Sequence, residues 1–329
     1  MTVRERPGIY AEYRVNSSFT AAEGAVTVGV AAHVNGEASS VEGIISYMDA
    51  VQSYGMCPMT KLIKTLFSNG CGRILAVPVI GENYPDAFTQ LLNSGADIIV
   101  CDSRSQDALN SMKTALENAE YSMGIWECDE AAAQCIEYAR GMNFERLIIC
   151  GGADETEGNL AAALAGVISS EKELFLNGHP LQGVGQLARS FTEQEIDALI
   201  AGGVTPLEYD GESVCVIRGV TTRTSTNGVE DKSLREIAAV ITVLDVLKSV
   251  HSALKLKFAR AKNDALTRGA IRSQVAVELE KKLAAGKIAD YGSISAVADG
   301  NDASLCRVGF EFSAVCGLST IMLTAYLNV

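Results

Sequence analysis

From about Ala25 to Ser170 the chain alternates short apolar runs with amphipathic stretches, and few folds accept that order. The strand candidates are Val26 to Val34, Arg73 to Ile80, Asp97 to Cys101, Met123 to Glu127 and Arg146 to Cys150. Helices are expected between them at about Met59 to Ser68, Asp86 to Ser94, Gln106 to Ala119 and Ala131 to Gly141, with another at Asn159 to Ser169. Ser105 is placed to cap a helix start and Gly95 to end one. Strict alternation requires right-handed crossovers, which predicts a parallel, three-layer α/β domain.

Beyond Ser190 the pattern changes. Phe191 to Ile200 reads as a short helix with Thr192 and Glu195 as a capping box, stopped by Gly202-Gly203. Val204 to Tyr209 and Ser213 to Thr222 flank Asp210-Gly211, a hairpin signal. Asp231 to Ala261 follows as a long helix, and a second carries Ile271, Val275, Leu279 and Leu283 at four-residue spacing, ends near Gly286 and turns Arg272, Lys281 and Lys282 outward. Strands at Tyr291 to Ala298 and Val308 to Cys316 complete a smaller α+β unit. The expected division is an N-terminal strand segment at 1–20, an α/β domain at 21–190, a smaller α+β domain at 191–317 and a C-terminal strand segment at 318–329.

Both tips alternate like bare strands. Ile9, Ala11, Tyr13 and Val15 oppose Tyr10, Glu12, Arg14 and Asn16, while Ile321, Leu323, Ala325, Leu327 and Val329 oppose Met322, Thr324, Tyr326 and Asn328. Soluble proteins normally shield apolar edge strands, so these tips are built to pair, either within their own subunit or by completing a sheet of another.

Composition excludes several classes. A chain of 329 residues that is 48% hydrophobic with only 6 prolines can bury a sizeable core and does not read as disordered. Apolar runs such as Ile237 to Leu247 break off well before the roughly 20 residues needed to span a bilayer, so no membrane insertion is expected, and Met1 to Arg6 lacks the apolar stretch of a signal peptide. The 9 cysteines form no C-x-x-C pair and mostly lie in or beside apolar runs as small core residues, and His33, His179 and His251 have no ligand spacing, so neither a disulfide framework nor a metal site is expected. Net charge is -13, yet Asp231 to Asp290 holds twelve Lys or Arg against seven acids. That asymmetry suits an acidic protein partner as well as a pair of solvated helix faces. Nucleic acid is disfavoured, because the basic stretch has no interleaved aromatics and the whole molecule repels phosphate.

The carboxyl ends of the strands are where an open α/β sheet would hold a ligand. Ala32-His33-Val34-Asn35-Gly36 lacks the G-x-G-x-x-G of a dinucleotide site, and Gly151-Gly152-Ala153-Asp154-Glu155 is acidic where a phosphate would need a cradle. There is no G-x-x-x-x-G-K-[ST] and no G-x-S-x-G. Asp102, Asp129 and Asp154 sit at strand ends, where helix capping is the expected role and a catalytic or ligand-binding site near Asp102, Asp129 and Gly151 the competing one. No catalytic residue and no cofactor is assigned.

Several segments together resemble a known family. Arg6-Pro7-Gly8-Ile9-Tyr10 near the start, Phe191-Thr192-Glu193, Leu199 to Glu208 (L-I-A-G-G-V-T-P-L-E), Val216 to Thr222 (V-I-R-G-V-T-T) and Asp231 to Ile237 (D-K-S-L-R-E-I) are similar, in order and glycine spacing, to the contractile tail sheath proteins of phages and phage-tail-like bacteriocins. The specificity lies in I-R-G-V-T-T at its distance from A-G-G-V-T-P. The match covers roughly the first twenty residues and Phe191 onward, and the chain is short for the family. The resemblance implies a non-enzymatic subunit that stacks as hexameric rings around an inner tube, working without nucleotide. Partners are further copies of itself, the tube protein, and baseplate and tail-terminator proteins. It places the chain in a virion tail or tail-like particle assembled in the bacterial cytoplasm. It further implies terminal arms woven between subunits by strand addition, through Ile9, Tyr10, Ala11, Tyr13, Val15, Ile321, Leu323, Ala325, Tyr326 and Leu327. A helix faces the tube in this family, for which Arg272, Lys281, Lys282 and Lys287 are the candidates here. Contraction would release energy held in a trapped extended form.

Overall fold

The computed structural model describes residues 26–35, 41–155, 158–170, 176–300 and 305–315. The proposed arm residues Ile9, Tyr10, Ala11, Tyr13, Val15, Ile321, Leu323, Ala325, Tyr326 and Leu327 lie outside them. In chain order the first part contains β1 (Val28–His33), β2 (Glu42–Ile44), α1 (Tyr47–Tyr54), α2 (Pro58–Ser68), β3 (Ile74–Val79), α3 (Tyr84–Asn93), β4 (Ile98–Cys101) and α4 (Gln106–Glu117). It continues through β5 (Met123–Cys128), α5 (Ala132–Met142), β6 (Leu147–Gly151), α6 (Leu160–Ser170), β7 (Pro180–Leu181), α7 (Glu193–Ala201), β8 (Thr205–Tyr209) and β9 (Val214–Val216). The remainder comprises β10 (Ser225–Thr226), β11 (Val229–Glu230), α8 (Ile237–Phe258), α9 (Ala265–Ala284), β12 (Ile288–Ala298) and β13 (Cys306–Ala314).

Among the described residues nine strands form one mostly parallel sheet in the order β2-β3-β1-β4-β5-β6-β8-β9-β7. The five strands expected from periodicity are its parallel centre, with β1 paired on both sides, to β3 and β4. Antiparallel β2 closes one edge, while β9 and β7 turn back at the other. The near-continuous apolar strands follow from burial on both faces. Val28, Val30 and Ala32 point into one cluster with Ile63 and Leu66 of α2 and Leu164 of α6. Ala31, Ile99 and Trp126 point the other way, against Phe88 of α3, Leu109 of α4 and Cys135 of α5. The chain is therefore a three-layer α/β protein carrying a smaller α+β unit.

The sheet does not stop where the sequence reading divides the chain. β8, beyond position 190, pairs in parallel with β6 through Cys150↔Thr205 and Gly151↔Pro206. Asp210-Gly211 makes the expected hairpin to β9: Gly211 has φ +103, and Asp210 Oδ1 accepts from the amides of Glu212 and Ser213. Thr192 and Glu195 form the capping box at α7.

The small unit has its own core. Val246 and Val250 of α8 meet Val275 and Leu279 of α9 and Ile288 of β12, with Phe310 and Phe312 of β13 packed alongside. The first turns of α8 instead bury Ile237 and Val240 in the cluster beneath the large sheet. The expectation that apolar runs break off early is corrected here. α8 spans 22 residues, of which an 18-residue stretch has a mean hydropathy of 1.6, long and apolar enough by length and composition to cross a membrane. Here it packs against protein through its first turns and its middle, and its charges dock it: Asp245 bonds Lys282 and Lys287, and Lys248 pairs with Asp97 at the amino end of β4.

Candidate functional site

The carboxyl ends of β1, β3 and β4 hold a polar constellation that resembles chemistry. His33 Nδ1 lies 2.8 Å from Asp102 Oδ2, which also accepts the His33 amide at 3.0 Å, and Tyr84 donates its hydroxyl to Asp102 Oδ1 at 2.7 Å. The far ring nitrogen, Nε2, is 2.8 Å from the carbonyl of Gly81. A carbonyl only accepts, so Nε2 carries a proton, and Nδ1 faces a carboxylate. Both nitrogens are best satisfied when the ring is a cation, and no nitrogen is left as a base. Burial pulls the His33 pKa down, but the bond and charge of Asp102 and the Gly81 carbonyl outweigh it and raise the value above 6.5. The group is a clamp across three strand ends.

A second carboxylate stiffens the neighbouring loops. Glu127, at the end of β5 and almost fully buried, accepts from the amides of Leu160 at 2.5 Å and Asp154 at 3.3 Å and from Arg104 at 2.5 Å. Burial pushes its pKa up to about 7 against the pull of Arg104. Asp154 accepts from the amides of Gly158, Gly185 and Gln186. Asp129 is half-exposed and 3.6 Å from Arg104. The expected capping roles are thus corrected: Asp102 and Asp154 bind groups 69 and up to 32 residues away, which capping statistics do not anticipate. His33, Tyr84, Arg104 and Glu127 carry no sequence motif. The available signal was that His33 and Asp102 end neighbouring strands. Among the described residues no group of three or more metal-ligating side chains converges.

These two groups set a pH dependence of one sign. A histidine with a raised folded value contributes most below its unfolded value, and that contribution fades as pH rises through the folded one. Glu127 keeps, up to about pH 7, a proton that the unfolded chain gives up near 4.5, so it too favours folding at the acid end of that window. Urea midpoints should therefore fall from about pH 6 to about pH 8, with a shallower fall in His33→Gln. Equal slopes in the two proteins would remove His33 from the account.

The segments that resemble the sheath family meet at one place. Thr205 on β8 donates to the Val220 carbonyl at 2.8 Å and accepts the Val220 amide at 3.0 Å. Thr221 bonds the Arg235 carbonyl through its amide and the Leu234 carbonyl through its hydroxyl, both at 2.8 Å. Thr222 bonds Phe144 in both directions and reaches Leu147 at the start of β6. All three threonines are fully buried. Gly203, at φ +84, sits where a Cβ would come 3.0 Å from the Thr221 carbonyl. Ile237 N bonds Gly219 O and Arg218 pairs with Glu236, so A-G-G-V-T-P, I-R-G-V-T-T and D-K-S-L-R-E-I form the joint that seats α8 on the sheet.

The basic helix is partly committed inward. Lys282, expected to point outward, has a side chain only 15% exposed and bonds Asp245 at 2.7 Å, while Lys287 bonds the other oxygen at 2.6 Å. Burial pulls the Asp245 pKa up, but the two lysines hold it below its ordinary value. Lys281 is exposed beside Glu278, and Arg272 is exposed with no ion pair among the described residues. Leu256 and Leu266, near the loop joining α8 to α9, are each 85% exposed.

No protein-family model matches the sequence, and no curated protein aligns with it significantly. Solved structures do. A chain in the cryo-EM structure of the anti-feeding prophage baseplate superposes with a TM-score of 0.75 at 14% identity, covering 99% of this chain and 100% of that one. A chain of the anti-feeding prophage helical sheath in its contracted state gives 0.72 at 14% identity over 99% and 100%. The sheath tail protein of Desulfitobacterium hafniense gives 0.68 at 11% over 94% and 100%, and that of Listeria innocua 0.65 at 12% over 90% and 96%. The chain has the fold of the contractile tail sheath proteins.

Proposed function

We propose that this chain is the polymerising subunit of a contractile tail sheath, stacked as hexameric rings around an inner tube and attached to a baseplate. The observation that carries the reading is the whole-length match, which leaves no part of the contracted-sheath chain uncovered. The polar strand ends support it by default, since the His33 clamp offers no free base and the acidic loop after β6 offers no phosphate cradle. The β12–β13 hairpin supports it independently. Its two outer edges have no strand partner among the described residues, and two strands alone are marginally stable in water. Strands donated by neighbouring subunits would complete that sheet. In this reading residue 190 separates assembly roles rather than sheets, with 21–190 outward and 191–317 carrying the subunit contacts. Assembly belongs in the bacterial cytoplasm and function in a tail or tail-like particle. Negative-stain images of purified protein test the proposal: striated sleeves or rings are expected, and uniform single subunits at every concentration and with tube protein present would refute it.

The tube-facing surface separates into two pairs of residues. Arg272→Glu with Lys281→Glu should weaken co-sedimentation with tube protein while leaving thermal stability within about 0.5 kcal/mol, because exposed charges steer association more than they hold folds. Lys282→Glu should instead cost on the order of 2 kcal/mol by placing a carboxylate against half-buried Asp245. Normal tube binding by the first double variant would turn that helix face toward solvent or another subunit.

A further inference from the structure

Cys128 ends β5, and Cys135 lies in the first turn of α5; the two sulfurs are 2.9 Å apart. Both are fully buried, and among the described residues no other two cysteine sulfurs come within hydrogen-bonding reach. Seven positions of spacing hide the pair from any C-x-x-C reading, and the sharp turn Asp129 to Ala131 brings it together. We propose that Cys128 and Cys135 form a redox-active dithiol that closes to an intramolecular disulfide when peroxide reaches the subunit.

The geometry assigns the roles. The Cys135 thiol donates to Cys128 and also lies 3.4 Å from the carbonyl of Glu130. That bond lowers the pKa of Cys128 against its burial and raises that of Cys135, so the thiolate forms on Cys128. Cys128 thiolate attacks hydrogen peroxide, breaking the O–O bond to give the sulfenic acid and hydroxide. Cys135 sulfur then displaces the sulfenic oxygen, which takes the Cys135 thiol proton and leaves as water, while the hydroxide of the first step is neutralised by the proton that Cys128 released on ionising. In sum two thiols are oxidised by two electrons, and one peroxide is reduced to two waters. The sulfurs need to approach by only about 0.9 Å, and both belong to well-packed elements, so closure requires no rearrangement of the sheet. Access is the limiting step. The covering turn carries exposed Glu130 and Ala131, and a brief local opening there admits a molecule of peroxide's size but delays a bulky thiol reagent. In a reducing cytosol the pair stays open, and in an oxidising medium it closes.

Mass mapping of the full-length protein tests the proposal. No lysine or arginine separates the pair, so one tryptic peptide, Thr114 to Arg140, contains both cysteines. After brief treatment with hydrogen peroxide that peptide should be lighter by about 2 Da, resist alkylation, and regain two alkylatable thiols with dithiothreitol. A second cut after Glu130 should leave its halves joined. In Cys135→Ala, Cys128 should stop at the sulfenic acid and be trapped by dimedone. Two freely alkylated thiols in the wild-type peptide after peroxide has oxidised other cysteines would overturn the proposal. A disulfide from either cysteine to a different partner would do the same. The wild-type map decides the matter even if the variant is insoluble.

Discussion

Removal of Thr320 to Val329 should yield a subunit that folds, stays soluble and no longer polymerises. Among the described residues, three clusters hold the fold, built from positions between Val26 and Phe312, and they are expected to stand when the segment is removed. In the donated-strand proposal, the truncation removes the alternating apolar segment from Ile321 to Val329 as a donor for the edges of the two-stranded β12–β13 sheet. Under that proposal, main-chain bonds along the added strand couple each subunit to the next, and the coupling is lost as a unit when the donor is absent. Sedimentation velocity and negative-stain imaging would follow the loss, with circular dichroism confirming the fold. Removing Met1 to Val15 should act alike, because a mesh needs both threads. Tubes formed at normal yield by either truncation would end the donated-strand account, and a truncation that melts the subunit would place the tips in its own core.

Gly203→Val should be the most damaging single change in the motif joint. Valine at φ +84 adopts a backbone conformation that β-branched residues rarely reach, and its Cβ would press on the Thr221 carbonyl and on Thr224 and Thr222 atoms about 3 Å away. Strain and contact together should cost on the order of 4 kcal/mol, read from the urea midpoint. Gly211→Ala is the matching control: φ there is +103, yet nothing lies within 4 Å of the added Cβ, so only the backbone penalty of about 1 kcal/mol remains. Equal losses in the two variants would show that close approach at the joint contributes nothing.

Periodicity made the centre of the sheet readable because each of its strands is buried on both faces and because α3, α4 and α5, each with an apolar stripe, separate β3, β4, β5 and β6. It could not show β2, where three residues pair at an edge, or β7, where Pro180-Leu181 carries no repeat at all. Nor could it show that Thr205 to Tyr209 joins the large sheet: pairing with β6 is settled over more than fifty residues of intervening chain, and local pattern contains no register. The motif joint was legible as three separate strings. That Thr205, Thr221 and Thr222 tie them together depends on hydroxyls meeting carbonyls across those distances. At the strand ends the carboxylates were located, but their partners were not. Asp102 and Asp154 bind donors from distant loops, and Lys282 turns inward because Asp245 on the next helix leaves it a buried partner.

α8 is rooted in two different cores, Ile237 and Val240 under the large sheet, Val246 and Val250 in the small unit. At about 1.5 Å per residue its 22 residues make a strut roughly 33 Å long. A pull on the β12–β13 hairpin therefore enters the helix near its middle, at Val246 and Val250, and reaches the large sheet through the first turns along a continuous ladder of helical hydrogen bonds rather than through a pliable hinge. Lys248 against Asp97 braces the strut sideways near its middle. Force applied to the hairpin should thus turn the whole subunit as a stiff body before it extends any part of it.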